Sequence, residues 1–368
     1  MMHKRILPSR RLWLVAVSCF VFYLSRSVAQ TIPIIDLQLL LNDTSQCGEV
    51  CEEMPHAVLQ ELQKACEEFG LFYVKYPGID HKYAQKQFKN AKDFFDLPES
   101  VKSSIPIKSG GFTRGYVEMG GESGTADRFE VKEAFSYGYP WPANITPSNP
   151  LQGPNIWPSD GILPAEWKEG MMELFDKIVA VSEATTSALS LALNGEQDLS
   201  EHCKEGDTIS FMRLFHYFPY ANLNIDGNIE KIGSSPHTDW GFLTVILQDS
   251  VGGLQFQYDE QWIDVPHVPD TLVVNCGDYL SLMTNGRFKS PLHRVVSSEH
   301  SAERYSFVFF YYPSYEAKFA VESNLQDESK NRLDRSYNTL LDMSTDVDIS
   351  QTSFGDYLLG KWNRVYRK

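Results

Sequence analysis

The segment FLTVILQDSVGGLQFQYDEQWIDVPHVPDTLVVNC, residues 242–276, decides the fold of this chain. It holds four short apolar or alternating runs, FLTVILQ, GLQFQY, QWIDV and TLVVNC, and turn residues such as Gly252–Gly253 and Asp259–Glu260 separate them. Four more strand candidates, ISFMRLFHYF, YLSLMT, LHRVVSS and RYSFVFFYY, lie between residues 208 and 315. Eight short strands at this spacing predict an antiparallel sandwich or jelly roll.

Helical patterns lie on both sides of this β region. In HAVLQELQKACEEFG the apolar residues are spaced for one helical face, and Gly70 ends the helix. A second helix is predicted over residues 82–95, and a long one from Pro164 to Asn194 with apolar residues at helical spacing. IPIIDL and LFYVKY predict strands, and SFGDYLLGKW predicts a closing helix.

We therefore expect a mainly β fold of the α+β class, in which helices flank a jelly-roll core. The segments are a signal peptide over 1–29, an N-terminal region over 30–160, a long supporting helix over 161–200, the jelly-roll core over 208–315, and a C-terminal extension with the closing helix over 316–368.

Composition narrows the class of partner. The chain has 368 residues, of which 42% are hydrophobic, so it can bury a sizeable core. Its net charge is −15, whereas a protein that follows nucleic-acid phosphates is usually basic. We expect a monomer that binds a small molecule and no nucleic acid.

The N-terminus, MMHKRILPSRRLWLVAVSCFVFYLSRSVAQ, has the pattern of a targeting segment. A basic start precedes an apolar run from Leu12 to Leu24, which is too short to span a bilayer comfortably. Small residues at Ser27–Ala29 predict a signal peptide cleaved near Ala29, with no stable membrane insertion afterwards. A secretory location is therefore predicted, and an uncleaved signal anchor, an organelle transit peptide or a cytoplasmic location stays open. Sequons at Asn42 and Asn144 add weak support.

A candidate metal site begins at His237-Thr-Asp239, because His237 is the only one of nine histidines followed two residues later by an acid. On an extended segment these two side chains point the same way and can reach one ion. His293 is the best third ligand because it enters an apolar strand, whereas His267 and His300 lie in a proline-flanked loop and a charged turn. Two histidines and one carboxylate suit Fe(II) with open positions, and zinc takes the same ligand types.

A candidate anion site follows on the last predicted strand. Arg304 and Ser306 share one strand face, and the guanidinium fork of arginine matches a carboxylate. A buried arginine needs an anionic partner. The phenol of Tyr217, on a neighbouring predicted strand, can reach the same carboxylate.

At these residues the chain resembles the plant-type, isopenicillin-N-synthase-like group of Fe(II)/2-oxoglutarate-dependent oxygenases. The resemblance extends over nearly the whole mature chain, through IPIIDL, ACEEFGLFYVKYPGI, DFFDLPESVK, RGYVEMGGESG, VKEAFSYGY, the segment from His237 to Val296, and ERYSFVFFYYP. It implies a double-stranded β-helix core, an iron triad of His237, Asp239 and His293, and a 2-oxoglutarate anchor of Arg304 and Ser306 supported by Tyr217. The family often has Asn where this chain has Phe215, which puts polar support for 2-oxoglutarate on that side in doubt.

The resemblance also implies the reaction. Oxidative decarboxylation of 2-oxoglutarate by O2 gives succinate and CO2, and it drives hydroxylation or desaturation of a small organic molecule of the secondary-metabolite or hormone type. Ascorbate is a possible reductant.

Three other functions stay open from the sequence. They are an Fe(II) oxidase of the same fold that uses no 2-oxoglutarate, a non-catalytic jelly-roll binding protein, and a secretory peptidyl hydroxylase. Candidates for lining the substrate pocket are the aromatic residues Phe112, Tyr116, Phe135, Tyr311 and Trp362.

Overall fold

The computed structural model describes residues 32–38, 56–76, 78–107, 114–123, 127–142, 144–193, 199–204, 209–221, 223, 225, 228–297, 302–318 and 352–365. The predicted signal peptide over 1–29, the sequon at Asn42, Phe112 and His300 lie outside these residues. No helix in the described ranges is both long enough and apolar enough to cross a membrane.

Strands and helices are numbered in chain order. The strands are β1 (Ile34–Asp36), β2 (Leu71–Lys75), β3 (Gly115–Val117), β4 (Arg128–Glu130), β5 (Lys132–Gly138), β6 (Phe211–Tyr217), β7 (Glu230–Ile232), β8 (Ser234–His237), β9 (Leu243–Gln248), β10 (Leu254–Tyr258), β11 (Gln261–Asp264), β12 (Thr271–Cys276), β13 (His293–Val295) and β14 (Arg304–Tyr311). The helices are α1 (His56–Glu68), α2 (His81–Phe95), α3 (Glu99–Lys102), α4 (Ala165–Ala192), α5 (Glu201–Lys204), α6 (Asp278–Met283) and α7 (Phe354–Val365).

Two sheets form the predicted jelly roll. The large sheet has eight strands in the order β1-β2-β12-β9-β14-β6-β5-β3, and all its pairs are antiparallel except β1 with β2. The small sheet has four strands in the order β11-β10-β13-β8, and a further pair joins β4 to β7 in parallel. The predicted fold class, a mainly β core with flanking helices, is confirmed.

The two faces of the large sheet have different partners. One face packs on helix α4, where Phe175 meets Phe309 of β14 edge to face at 5.3 Å between ring centroids. The other face turns toward the small sheet, and Ile246 and Val308 pack there with Leu254 and Val295. Because side chains alternate along each strand, the first face builds the main core and the second lines the interior of the jelly roll.

Local chemistry explains the long helix α4. It begins directly after Pro164, and proline is favoured near a helix start because its missing N–H would have no partner there. Inside the helix, the buried hydroxyls of Ser182, Thr185 and Thr186 each donate to the carbonyl four residues earlier at 2.7–2.8 Å. These polar groups are therefore buried without loss of hydrogen bonds.

One predicted strand is wrong. YLSLMT was expected to be a strand, but Asp278–Met283 is the helix α6, in which the Thr284 N–H donates to the Leu280 carbonyl. A short apolar run has no periodicity that separates a buried strand from a buried helix. The turn predicted at Asp259–Glu260 does join β10 to β11, with both residues at positive φ, as type I′ hairpins require.

Candidate metal and co-substrate site

The small sheet brings the two predicted histidine ligands together. β13 pairs antiparallel with β8 so that His293 lies opposite His237, and their ring centroids are 4.3 Å apart. Asp239 follows β8 by two residues, and its carboxylate oxygens lie 3.8 Å from His237 Nε2 and 3.7 Å from His293 Nε2. One ligand atom from each side chain fits within a mutual distance of 4.8 Å.

Backbone carbonyls orient both imidazoles. His237 Nδ1 lies 2.7 Å from the Ser235 carbonyl, and His293 Nδ1 lies 3.1 Å from the Pro291 carbonyl. Since a carbonyl only accepts, each Nδ1 carries the proton, and each Nε2 is left to face Asp239 with its lone pair. This is the tautomer that a metal-binding histidine needs.

The charge states also suit a cation. Loss of solvation and the nearby His293 lower the pKa of His237 to about 4, so its ring is neutral at pH 7. Burial opposes ionisation of Asp239, but the two imidazoles and a hydrogen bond from Asn275 outweigh burial and lower its pKa. Two imidazoles and one buried carboxylate form the ligand set that Fe(II) oxygenases use.

Residues from strand β12 and helix α6 hold Asp239 in place. Asn275 Nδ2 donates to Asp239 Oδ2 at 2.8 Å, and the Asp278 N–H donates to the Asp239 carbonyl at 2.8 Å. A Cβ at Gly277 would lie 2.2 Å from the Gly241 carbonyl oxygen and 3.2 Å from that of Asp239. Only glycine therefore lets β12 approach the metal-binding turn this closely. The sequence analysis had missed Asn275.

Arg304 lines the same cavity as the three candidate ligands. It is opposite Tyr217 in the pairing of β14 with β6, and its guanidinium carbon is 4.8 Å from the centre of the phenol ring. Among the described residues, its side chain makes two long hydrogen bonds, 3.3 Å to Ser306 Oγ and 3.4 Å to Gln248 Oε1. Arg304 is 4% exposed, and it makes no ion pair with any described residue.

The guanidinium of Arg304 fits a carboxylate ligand. Its Nε is buried and has no hydrogen-bond partner among the described residues. Asp249 interacts electrostatically with Arg304, but no carboxylate of a described residue lies within ion-pair distance of its guanidinium, so an anion that enters from the cavity can pair with it directly. Ser306 supplies a hydroxyl beside it. Phe215 also lines the cavity, with its ring 5.7 Å from that of Tyr217, so the wall on that side is apolar, as its sequence predicts.

One cavity of about 230 Å³ contains both groups. Small-molecule sites are typically about 300–1,000 Å³, so this one suits a compact substrate. Of the aromatic candidates, Trp362 lines the cavity, whereas Tyr116, Phe135 and Tyr311 belong to the main core. Four charged residues that the sequence analysis had missed also line it: Glu122, Glu130, Lys132 and Arg213.

The fold and this arrangement define a jelly-roll protein with a candidate mononuclear metal centre and an anion anchor. Comparison with family models gives the family. Residues 209–313 match the 2OG-Fe(II) oxygenase superfamily, and residues 32–160 match the N-terminal model of the non-haem dioxygenase in morphine synthesis. The chain belongs to the 2OG-Fe(II) oxygenase superfamily, and it is an Fe(II)- and 2-oxoglutarate-dependent dioxygenase. The resemblance seen in the sequence is confirmed.

Similar proteins extend over most of the chain. A 2-oxoglutarate-dependent dioxygenase of Didymella fabae is 31% identical over 319 residues, which cover 84% of this chain and 91% of that protein. A 1-aminocyclopropane-1-carboxylate oxidase of Dictyostelium discoideum is 31% identical over 77% of this chain and 82% of its own length. A full-length protein of Neurospora crassa, solved in complex with alpha-KG, has the same fold with a TM-score of 0.69 at 24% identity, covering 90% of this chain and 95% of that one.

Proposed function

We propose that His237, Asp239 and His293 bind the Fe(II) and that Arg304, Ser306 and Tyr217 bind 2-oxoglutarate, in an enzyme that hydroxylates or desaturates a small organic molecule. The observation that carries the proposal is the buried Arg304, which lines the same cavity as the three candidate ligands and whose Nε has no partner in the part of the chain that the structure describes. A dicarboxylate can neutralise Arg304 with one end and reach the metal centre with the other.

When iron is bound, the site supplies the chemistry of the family, in which 2-oxoglutarate is decarboxylated to succinate and CO2 with O2 and an unreactive C–H bond is oxidised. The protein's own groups prepare this chemistry. The carbonyls of Ser235 and Pro291 keep both Nε2 atoms available, and Asn275 fixes the carboxylate of Asp239. Four buried apolar side chains keep water away from the interior: Ile246, Leu254, Val295 and Val308.

An additional oxidase activity that needs no 2-oxoglutarate is the second candidate for this dioxygenase. It is favoured by Phe215, which offers no polar support beside Tyr217, and by the similarity to 1-aminocyclopropane-1-carboxylate oxidases. In that case Arg304 would hold the carboxylate of a substrate or an activator. Ascorbate as reductant fits either candidate. A similar protein from Dictyostelium discoideum is described as a probable iron/ascorbate oxidoreductase.

An anaerobic titration tests the assignment. Fe(II) is added to the purified protein, followed by 2-oxoglutarate, and the visible charge-transfer band of the chelate is recorded. We expect the band to appear with wild type and to vanish with His293→Gln. Iron binding without a band, together with turnover that releases no succinate, would support the oxidase. Failure to bind Fe(II) at micromolar levels would support a non-catalytic binding protein.

We also propose that the protein enters the secretory pathway and is a monomer. The secretory route is supported by the basic and apolar N-terminal pattern and by Asn144, which is exposed and carries a glycosylation sequon. In eukaryotic cells we expect a glycosidase-sensitive mass at Asn144, removed by Asn144→Gln, and a mature N-terminus near residue 30. An unmodified chain that retains Met1 would refute the location, and a dimer in sedimentation experiments would refute the monomer.

A further inference from the structure

The wall of the cavity contains a cluster of buried charges that are not among the proposed ligands of the metal or 2-oxoglutarate: Glu122, Glu130, Lys132 and Arg213. Arg213 Nη1 pairs with Glu122 Oε1 at 2.7 Å, and Lys132 Nζ pairs with Glu130 Oε2 at 2.8 Å. Lys132 also lies 3.7 Å from Glu122, which links the two pairs. All four side chains are at most 10% exposed, so solvent screens them little.

The cluster is neutral in sum. It contains two cationic and two acidic side chains, each close to an opposite charge. A neutral, tightly paired wall offers fixed dipoles but no surplus charge. A charged substrate would lose its hydration on entering and find no net counter-charge, whereas an uncharged polar group would find hydrogen-bonding partners.

Aromatic rings form the rest of this part of the cavity. Trp240 and Trp362 meet edge to face at 5.5 Å, and the guanidinium of Arg213 lies 5.3 Å from the centre of Trp362. Phe215 lies beneath Lys132 Nζ at 5.0 Å from its ring centre. Such surfaces favour flat, polarisable molecules that stack on ring faces or edges.

The same cluster contacts the strand that carries His237. Glu130 Oε1 accepts a hydrogen bond from the Ser235 N–H at 2.7 Å, and Lys132 Nζ donates to Ser234 Oγ at 3.2 Å. Ser235 is also the residue whose carbonyl orients His237. A substrate held by this wall therefore lies beside the metal-binding strand.

We propose that Glu122, Glu130, Lys132 and Arg213, with the surrounding rings, select an uncharged, flat, unsaturated or aromatic small molecule that carries a polar oxygen. This inference rests on the proposed function, because it places the substrate next to the metal centre. Arg213 and Glu122 are the specificity-determining pair, and Ser136 Oγ, which accepts from Arg213 Nε at 2.8 Å, holds the guanidinium from behind.

The test compares three ring compounds of similar size that differ in charge: para-hydroxyacetophenone, para-hydroxybenzoate and para-hydroxybenzylamine. Binding is measured calorimetrically under argon with Fe(II) and saturating 2-oxoglutarate, which occupies Arg304 so that the benzoate cannot bind there. We expect wild type to bind the ketone at least about tenfold more tightly than either charged compound, because a buried unpaired charge is poorly compensated.

Single charge removals should change the selectivity in opposite directions. Glu122→Gln leaves a surplus positive charge, so the affinity for the benzoate relative to the ketone should rise about tenfold. Arg213→Gln leaves a surplus negative charge, so the affinity for the amine relative to the ketone should rise about tenfold. The double variant Glu122→Gln/Arg213→Gln restores neutrality and should regain the preference for the ketone. It also keeps the test possible if one of the single variants does not fold. Arg294→Gln, outside the cavity, is the control and should match wild type.

Three results would overturn the proposal: no ketone binding by wild type at millimolar concentration, a charged compound bound as tightly as the ketone, or ratios unchanged in folded single variants. The chelate band is recorded before each titration. Absence of the band would count against the proposed function. If the band is present, the binding selectivity is measured without O2 and without turnover, so it tests only the role of the charged cluster. The two failures are therefore distinguishable.

Discussion

His293 lies opposite His237 in the antiparallel pairing of β13 with β8, which places the two imidazole rings 4.3 Å apart. This register supplies two of the three proposed iron ligands from one small sheet. We expect His293→Gln to weaken Fe(II) binding at least about a hundredfold, because losing a ligand costs more than losing a residue that only orients one. His267→Gln, which changes a histidine outside the cavity, should bind iron like wild type. Equal iron affinities in the two variants would refute the assigned role of His293.

Arg304 should control the affinity for 2-oxoglutarate. Charge-assisted hydrogen bonds are worth about 1.5–3 kcal/mol, so Arg304→Gln should raise the KM for 2-oxoglutarate at least about tenfold. Arg294→Gln is the matched control, because Arg294 stacks over Trp262 and donates to Gln255 outside the cavity. The KM for 2-oxoglutarate of each variant is measured from steady-state succinate release. An unchanged KM in Arg304→Gln would exclude the anchor role.

Asn275 should act through Asp239 as a positioning residue. Removing the amide in Asn275→Ala takes away the donor at 2.8 Å from Asp239 Oδ2 and should lower Fe(II) affinity about 10–100-fold. Asn155→Ala, which removes hydrogen bonds to the Gly138 backbone away from the site, is the control for a general loss of stability. If both variants lose the same thermal stability and neither loses iron affinity, Asn275 is only structural.

Glu133 of strand β5, which does not line the cavity, should stabilise the fold. It is 3% exposed and accepts from Lys102 Nζ at 2.6 Å and from the imidazole of His216 at 2.8 Å. Burial opposes ionisation of Glu133, but hydrogen bonds from His216, Lys102 and Tyr116 outweigh burial and lower its pKa. We expect Glu133→Gln to lower the free energy of unfolding at pH 7 by about 3–5 kcal/mol, because the buried Lys102 loses its partner.

The sign of the pH dependence follows from the lowered pKa of Glu133. Its contribution is complete above the unfolded pKa of about 4.3 and is lost as the pH falls through the lower folded value. The difference between wild type and Glu133→Gln in urea unfolding should therefore shrink in acid. Glu99→Gln is the control, because Glu99 lies 3.5 Å from the same Lys102 but is 60% exposed, and it should change stability by less than about 1 kcal/mol.

Local patterns were enough to predict the elements that carry the proposed ligands. The H-x-D spacing, the histidine at the start of an apolar strand and the R-x-S pair each lie within a few residues of sequence. In the structure, however, β8 ends at His237, so Asp239 lies in the following turn and not on the strand itself. Its position depends on Asn275 and Asp278, which no local pattern connects to it.

The substrate wall could not be predicted because its members are far apart in sequence. Glu122 lies in a loop, and its partner Arg213 is in the middle of β6. A related reason explains why the sequence could not separate the pocket-lining aromatic residues from the core ones. Both faces of the large sheet are buried, so hydrophobicity alone does not indicate that Tyr116 and Phe135 face the helices. Trp362 lines the cavity because the closing helix α7 brings it there.

Gly277 has no functional group, yet any other residue there would push its Cβ to within 2.2 Å of the Gly241 carbonyl oxygen and toward the carbonyl of Asp239. In a saturation-mutagenesis survey scored by turnover, position 277 should therefore behave like a metal ligand and tolerate no replacement, not even alanine. The failure of substitutions at position 277 would then reflect the small distance between two backbone segments. A ranking of positions by sensitivity to mutation would place this glycine among the residues that take part in the chemistry, although it has no reactive side chain.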